Sequence, residues 1–218
     1  NTIKMKVSVI ITVFNREKYI SRCIRSCLDQ SMNKKEYEII VVNDGSTDNS
    51  LEIIDSFGDD IVKISYTKNR GLAYASNRGI RKAKSKYIVR VDSDDYIHED
   101  LLKIEYAFAE MNQLDAVSCD YLKVDTNEFV LSRESAQDNP IACGILFNKD
   151  KLIEIGLYDT KFKLMEDIDL RERFDRKFQI INVPLPLYRY LMHDSNITNN
   201  QKKVNEYTKL FNEKHGKK

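Results

Sequence analysis

Three carboxylates lie within four consecutive residues, at Asp92, Asp94 and Asp95, with Ser93 among them. Like charges at this spacing repel one another unless a positive charge lies between them, and hard divalent cations prefer oxygen ligands. We therefore predict a Mg²⁺ or Mn²⁺ site here, with coordination positions left for diphosphate oxygens. A solvated acidic turn that caps the next helix would use the same residue types, so the segment alone leaves that alternative open.

The elements that must position this cluster alternate between strands and helices. Apolar β-branched runs predict buried parallel strands, and apolar residues at helical spacing predict helices between them. Strand, helix, strand repeated three times predicts an α/β fold with an open parallel sheet and helices on its faces. The predicted strands are Val7–Val13, Glu38–Val42, Ile61–Thr67 and Tyr87–Val91, and the predicted helices are Tyr19–Leu28, one that follows Asp48, and Leu72–Ala83.

Ligands of such sheets bind at the carboxyl ends of the strands, which locates a site before any motif is considered. Four chain segments follow the four predicted strands, and three of them carry polar or acidic groups suited to chemistry. These segments are Thr12–Asn15, Asn43–Asp44, Lys68–Gly71 and Asp92–Asp95.

The second half of the chain is less regular and predicts a small mixed or antiparallel extension of the sheet. A polar loop is expected over Ser132–Pro140, and Pro184 and Pro186 predict an extended segment. The predicted helices are His98–Met111, Lys149–Ile155 and Glu166–Lys177, and the predicted strands are Ala116–Val124, Glu128–Leu131 and Gln179–Val183.

Composition bounds the class of protein. With 218 residues the chain fits one domain, and 35 basic against 34 acidic residues argue against nucleic acid as a partner. None of the four cysteines forms a Cys-x-x-Cys pair, so we expect buried, reduced thiols and a cytoplasmic protein. The longest apolar run, near Val7–Val13, is too short to span a bilayer, and no signal peptide is recognisable.

Several short stretches, taken in order, resemble family 2 glycosyltransferases, which have the GT-A fold. The resemblance covers about residues 5–200, and each stretch alone is weakly specific. It implies a mostly parallel central sheet with helices on both faces, a metal-dependent reaction, and a nucleotide-diphospho-sugar donor. The matching stretches are Val7–Asn15, Val41–Asp48, Asn69–Gly71 with Asn77–Gly79, Val91–Asp95, and Glu166 with Asp167.

The resemblance implies roles for the matched positions on the donor side. Thr12 and Phe14 would line the base and ribose pocket, with Asn15 beside them. Asp44 would accept a hydrogen bond from a base N–H, which weakly favours uracil. Further donor contacts would come from Gly71, Asn77, Asp92 and Ser93. Packing at the strand end, turn capping and helix-face packing are the structural alternatives for Thr12 and Phe14, for Asp44 and for Asn77 respectively.

At the reacting end, the resemblance identifies Asp92 and Asp94 as the family's Asp-x-Asp motif. Asp94 would be a direct metal ligand, Asp92 would hold the ribose or a metal-bound water, and His193 would contact the metal or the departing diphosphate. Asp167 would be the general base, although acidic residues are also typical of helix N-termini. Where many relatives have Ala-Arg-Asn, this chain has Ser76 in place of the arginine, so a positive charge near the donor is missing.

The function that follows from the resemblance is inverting transfer of a sugar, from a UDP-sugar by preference, to a hydroxyl. The acceptor would be a glycan or lipid-linked glycan, as in cell-surface polysaccharide synthesis. A non-catalytic nucleotide- or carbohydrate-binding module is the alternative from another class. A sugar nucleotidyltransferase is a second alternative, but such an enzyme would normally carry a glycine-rich loop after the first strand.

We expect one domain over residues 1–218, with a nucleotide-sugar-binding half (5–97), an acceptor-side half (98–200) and a basic amphipathic tail (201–218). The tail would either dock on its own domain or contact an anionic membrane or a partner subunit. Its basic residues are Lys202, Lys203, Lys209, Lys214, Lys217 and Lys218, and its apolar stripe is Val204, Tyr207, Leu210 and Phe211.

Overall fold

The computed structural model describes residues 4–193 and 201–216, which form nine strands and seven α-helices. The strands are β1 (Val7–Val13), β2 (Tyr37–Asp44), β3 (Val62–Tyr66), β4 (Tyr87–Asp92), β5 (Tyr96–Ile97), β6 (Ala116–Val124), β7 (Val130–Glu134), β8 (Ile145–Asn148) and β9 (Ile180–Leu191). The helices are α1 (Ile20–Leu28), α2 (Ser50–Asp55), α3 (Leu72–Lys82), α4 (Leu101–Asn112), α5 (Lys149–Glu154), α6 (Glu166–Asp175) and α7 (Gln201–His215).

The first four strands form a parallel half-sheet, as predicted, and lie in the order β3-β2-β1-β4. Thr12 at the end of β1 is in register with Val42 of β2 on one side and with Asp92 of β4 on the other. Asp44 is in register with Tyr66 at the end of β3. The carboxyl ends of all four strands therefore meet along one edge.

The second half extends the sheet in the order β4-β8-β6-β9-β5, and β7 pairs with β6. The short strand β8 is antiparallel to both β4 and β6, whereas β6 and β9 are parallel. This arrangement confirms the predicted mixed extension.

Two local predictions in this half need correction. The first residues of the predicted loop Ser132–Pro140 belong to β7, because Lys123 and Ser132 pair across the hairpin. The predicted strand Gln179–Val183 is the start of the twelve-residue β9, which continues through both prolines. The ladder tolerates them because its register to β6 shifts on either side of Asp120, which interrupts the regular pairing.

Hydrophobic side chains cover both faces of the sheet. Successive residues of β1 point to opposite faces, so that Val9 and Ile11 join one buried cluster and Ile10 joins the other. The first cluster includes residues of α1 and α4, and the second includes residues of α3, α5 and α6. All four cysteines are free and buried, as predicted.

The C-terminal helix α7 docks on its own domain through residues near its end, where Phe211 is buried and Lys214 pairs with Asp159. Of the basic tail residues, Lys217, Lys218 and the side chains of Lys202 and Lys203 lie outside the described residues. In the described part of the chain, no helix is both long and apolar enough to cross a membrane.

Candidate active site

The acidic cluster follows directly from β4, and a buried arginine within that strand neutralises part of its charge. Arg90 Nε lies 3.1 Å from Asp92 Oδ1, in an ion pair that lacks the alignment of a hydrogen bond. Burial raises the pKa of Asp92, Arg90 opposes this change, and the negative charge of Asp94 reinforces it. A strand interior is an unusual place for arginine, and its carboxylate partner explains why it is tolerated there.

Asp95 has a structural role within the cluster. Its Oδ2 atom accepts a hydrogen bond from the Tyr188 hydroxyl at 2.8 Å, and its Oδ1 atom accepts one from the Leu191 main-chain N–H at 2.8 Å. The residue is only 2% exposed, and burial together with the charges of Asp92 and Asp94 raises its pKa well above the ordinary value. Asp95 therefore ties the end of β4 to the last strand of the sheet.

Asp94 points to a different set of partners. Its Oδ2 atom lies 2.9 Å from His193 Nε2 and 3.3 Å from Arg16 Nε. The His193 ring stacks on Tyr19, with 5.1 Å between the ring centroids. The structure thus brings together Asp94 and His193, which are 99 positions apart in the sequence.

The donor atoms of this pair fit a divalent cation. Two neighbouring ligands at about 2.1 Å from a cation lie about 3 Å apart, close to the separation of Asp94 Oδ2 and His193 Nε2. Carboxylate oxygen and imidazole nitrogen suit Mn²⁺ or Mg²⁺, with the imidazole favouring Mn²⁺.

Asp92, Asp95 and Cys143 form a second group that could hold a metal ion, since their ligand atoms all lie within 4.8 Å of one another. Both carboxylate oxygens of Asp95 already accept protein hydrogen bonds, and Asp94 Oδ2 and His193 Nε2 are within hydrogen-bond distance of each other. Ser93, predicted to contact the donor, is buried between the two acidic residues of the motif.

The end of β1 presents one buried and one exposed side chain. Thr12 is 7% exposed, whereas the Phe14 ring is 43% exposed and offers an uncovered aromatic face. Asn15 has a positive φ of 53°, and its side-chain oxygen accepts a hydrogen bond from the main-chain N–H of Thr47 at 2.8 Å. Asn15 therefore organises the turn after β2 through its own side chain.

The Asp44 carboxylate holds the segment that follows β3. It accepts hydrogen bonds from the main-chain N–H of Arg70 at 3.0 Å and of Gly71 at 2.8 Å. Gly71 has a φ of 96°, and Gly45 has a φ of 78° with the main chain of Lys68 so close that a Cβ would lie 2.6 Å from it. The segment is thus fixed against the turn after β2 by close backbone contact as well as by Asp44.

Asn77, predicted to contact the donor, is bonded to the main chain of Tyr158. Its side chain is 4% exposed, donates to the Tyr158 carbonyl at 2.8 Å and accepts from the Tyr158 main-chain N–H at 3.0 Å. Both halves of the amide are therefore occupied in holding α3 to the segment after α5. Ser76, beside it, is completely buried, so no side chain at that position extends towards a donor.

The three acidic residues at the start of α6 have different surroundings. Glu166 is buried, with its Oε1 atom 3.6 Å from Arg90 Nη1, and Asp169 is buried against basic groups of α6 and α7. Asp167 is partly exposed and, among the described residues, has no hydrogen-bond or ion-pair partner. Its negative charge contributes to the raised pKa of Asp92 and of Tyr158, so it lies within electrostatic range of both groups.

Arg90, Arg16 and Tyr188 are site residues that sequence reasoning did not identify. A charged residue inside the apolar run Tyr87–Val91 was a usable signal, because a buried arginine requires a carboxylate partner. Arg16 and Tyr188 carried no comparable signal, since their roles arise from contacts with Asp94 and Asp95.

An open α/β sheet with an acidic cluster and an exposed aromatic ring after neighbouring strands is an arrangement typical of nucleotide-sugar-dependent transferases. The family model described as Glycosyl transferase family 2 matches residues 8–174, and the chain belongs to this family. An uncharacterized glycosyltransferase of Rickettsia typhi is 32% identical over 233 residues, covering 97% of this chain and 72% of that protein.

Other relatives are longer proteins. Poly(ribitol-phosphate) beta-glucosyltransferase of Bacillus spizizenii is 44% identical over 115 residues, which are 51% of this chain and 18% of the relative. Glycosyltransferase GlyG of Streptococcus pneumoniae is 38% identical over 125 residues, which are 56% of this chain and 41% of that protein. The matched region thus spans less than half of either relative.

Solved structures confirm the GT-A fold. S. aureus TarS 1–349 in complex with UDP-GlcNAc aligns with a TM-score of 0.82 at 22% identity, covering 95% of this chain and 65% of that one. The mannosyltransferase PcManGT from Pyrobaculum calidifontis, in complex with GDP-Man and Mn²⁺, aligns with a TM-score of 0.75 at 16% identity, covering all of this chain and 66% of that one.

Proposed function

We propose that this protein transfers a sugar from a nucleoside-diphosphate donor, a UDP-sugar by preference, to a hydroxyl of a glycan or lipid-linked glycan, with inversion. The observation that carries this proposal is the Asp167 carboxylate, which has no hydrogen-bond or ion-pair partner among the described residues and whose charge acts on Asp92 in the acidic cluster after β4. Relatives named as poly(ribitol-phosphate) glycosyltransferases and neighbours solved with UDP or UDP-GlcNAc support the choice of donor and acceptor class.

Residues 5–97 would form the nucleotide side. Phe14 would stack on the base, and Thr12 would line the pocket floor. The Oδ1 atom of Asp44 accepts one main-chain hydrogen bond and has capacity for another, so a base N–H could share this carboxylate with Arg70. Gly71, which has no side chain, would let the donor approach the main chain.

Asp94 and His193 would hold a Mn²⁺ or Mg²⁺ ion, with Asp92 beside them at the ribose or at a bound water. The cation would supply positive charge that offsets the charge gained by the departing diphosphate. Arg16, 3.3 Å from Asp94, adds a protein cation at the same place and partly replaces the charge missing at Ser76.

Asp167 would accept the proton of the acceptor hydroxyl while that oxygen attacks the anomeric carbon. The nucleoside diphosphate would leave from the opposite face, so one displacement inverts the centre. Base assistance of this kind is typically worth about 10²–10⁴-fold in rate. Residues 98–200, which include this helix and the second half of the sheet, would form the acceptor side.

Four free, buried cysteines suit a reducing compartment, and we propose a cytoplasmic site of action. Contact of the tail with the membrane face or with a partner subunit would bring a lipid-linked acceptor close. Docking of α7 on its own domain occupies the end of the tail, where Lys214 pairs with Asp159.

Donor turnover tests the proposal. Purified protein is incubated with UDP-, GDP-, CDP- and dTDP-sugars and Mn²⁺ or Mg²⁺, and the released nucleoside diphosphate is measured. We expect slow hydrolysis of one donor, abolished by EDTA and by Asp94→Ala. Once an acceptor has been identified, we expect Asp167→Asn to lower kcat for transfer by about 10²-fold or more. The exposed control Asp59→Asn should leave kcat unchanged.

The alternative class, a non-catalytic nucleotide-binding module, gives a different result. Calorimetric titration would then show metal-dependent binding of one nucleotide while no donor is turned over. Absence of both turnover and binding would contradict the proposal and the alternative alike.

A further inference from the structure

The end of α7 contacts α6 through a compact set of polar and aromatic groups. Lys214 Nζ lies 2.6 Å and His215 Nε2 lies 2.8 Å from the same oxygen, Asp169 Oδ1. The His215 ring packs on Phe211, with centroids 4.5 Å apart, and the Lys214 ammonium lies over the Phe162 ring at 5.1 Å. We call Lys214 and His215 the α7 latch.

Asp169 is the residue that both side chains of the latch contact. The residue is completely buried, and its second oxygen accepts hydrogen bonds from Arg173 at 3.0 and 2.7 Å. Arg173 also donates to the carbonyls of Ile155 at 2.6 Å and Leu157 at 2.7 Å. Burial acts to raise the pKa of Asp169, but the hydrogen bonds from Lys214, Arg173 and His215 outweigh it and lower the pKa.

The latch contacts the first turn of α6 at Asp169, two residues after Asp167. Because Asp167 has no side-chain partner among the described residues, its direction depends on how the backbone of the first turn of α6 is held. Met165, which precedes that turn, has a φ of 64°, a left-handed conformation that is unfavourable for a non-glycine residue. Thr208 of α7 donates to its sulfur at 3.6 Å, and the Asp169 main-chain N–H donates to its carbonyl at 3.0 Å.

The first turn of α6 is thus anchored on two sides of Asp167. Glu166, directly before it, is held from the sheet by Arg90, and Asp169, two residues after it, is held from α7 by the latch. We propose that Asp169 and the α7 latch are positioning residues that keep Asp167 aimed at the acceptor hydroxyl. This inference rests on the proposed function of Asp167 as the general base.

A double variant, Lys214→Ala with His215→Ala, tests the inference while leaving Arg173 to pair with the buried Asp169. Lys209→Ala, an exposed lysine of the same helix, is the matched control. Hydrogen exchange of the peptide spanning residues 165–175 is measured first. We expect exchange in the double variant to be faster by about 10-fold or more, as for one lost charge-assisted hydrogen bond, and unchanged in Lys209→Ala.

Kinetics on the same proteins form the second part. In the double variant we expect kcat for transfer to fall by about 10–100-fold, because a small displacement of the Asp167 carboxylate from the acceptor hydroxyl is enough to cause a loss of this size. KM for the donor should stay within about twofold, since the latch does not contact the nucleotide side. The single variant Lys214→Arg keeps a positively charged hydrogen-bond donor at this position, so it should retain most of the wild-type kcat.

The outcomes separate the two proposals. If the folded double variant keeps the kcat of Lys209→Ala, or its exchange is unchanged, the positioning role is wrong. A loss of kcat that is matched by an equal rise in donor KM would also overturn it, because that pattern indicates general loosening of the fold. If the wild-type protein turns over no donor, the proposed function fails, while the exchange measurement still reports whether the latch holds α6.

Discussion

Glu166 provides a prediction whose size can be worked out from its surroundings. The residue is 6% exposed, and Arg90 Nη1 lies 3.6 Å from its Oε1 atom. Burial and the neighbouring charge of Asp167 raise its pKa from an ordinary 4.5 to about 7, against the opposing effect of Arg90. The perturbation that isolates this group is Glu166→Gln, which keeps the shape of the protonated side chain and removes its titration.

Proton binding by Glu166 determines whether its contribution to stability rises or falls with pH. The folded protein holds this proton more tightly than the unfolded chain does, so stability from Glu166 is complete below pH 4.5 and is lost as the pH rises through about 7. The difference between the ordinary pKa of 4.5 and the raised pKa of about 7 corresponds to about 3 kcal/mol, at about 1.4 kcal/mol for each tenfold change in proton affinity. We expect the unfolding free energy of the wild type, minus that of Glu166→Gln, to fall by roughly this amount between pH 4.5 and pH 8.

Urea denaturation at a series of pH values measures the difference, with EDTA present so that metal binding does not contribute. Glu52→Gln, an exposed glutamate on α2, is the control and should show no such trend. A difference that stays flat across this range, or that rises with pH, would refute the reasoning, because either result means that Glu166 is ionised at ordinary pH in the folded state.

Three further substitutions test contacts around the site. Gly45→Ala should destabilise the protein by about 1–3 kcal/mol, since the added Cβ would clash with the main chain of Lys68. Because Lys68 begins the segment that contains Gly71, we also expect a higher KM for the donor. Initial rates at a series of donor concentrations measure this KM, and an unchanged value would contradict the prediction. Asn77→Ala should cost about 2–4 kcal/mol in urea denaturation because it leaves the Tyr158 main-chain groups unpaired, and a cost below about 1 kcal/mol would mean that water replaces the amide. Gly79→Ala should also destabilise, by about 1–3 kcal/mol despite its gain in helix propensity, since its Cβ would lie 2.6 Å from Ile10; its donor KM should not change, and a stabilised variant would show that α3 can move away.

The parallel half of the fold was predictable because its signals are local. β1 has seven residues, of which all but Ser8 and Thr12 are apolar, and each of the first four strands is long enough to stand out from its flanking turns. In contrast, β5 has two residues and β8 has four, and neither shows a periodicity that could be read from the sequence. Their strand conformation comes from pairing with β9, β4 and β6.

Prediction of the site had a similar limit. The residue types and their place after β4 indicated the acidic cluster, whereas the family resemblance indicated Asp94 as a metal ligand and His193 near it; the structure places His193 against Asp94. Which carboxylates are already paired depends on contacts across the fold, so nothing in the sequence indicated the bonds that anchor Asp95 to β9. The contact of Asn77 with Tyr158, 81 positions away, has no local signal in the sequence for the same reason.

The attachment of Asp95 to β9 has a consequence for how the protein is made. The parallel half-sheet comprises residues 7–92, so it can form while the rest of the chain is still on the ribosome. The two shortest bonds to the Asp95 carboxylate come from Tyr188 and Leu191, which are synthesised about a hundred residues later. A nascent chain can thus form its parallel half-sheet early, but the acidic cluster is fixed in place only after β9 has been inserted.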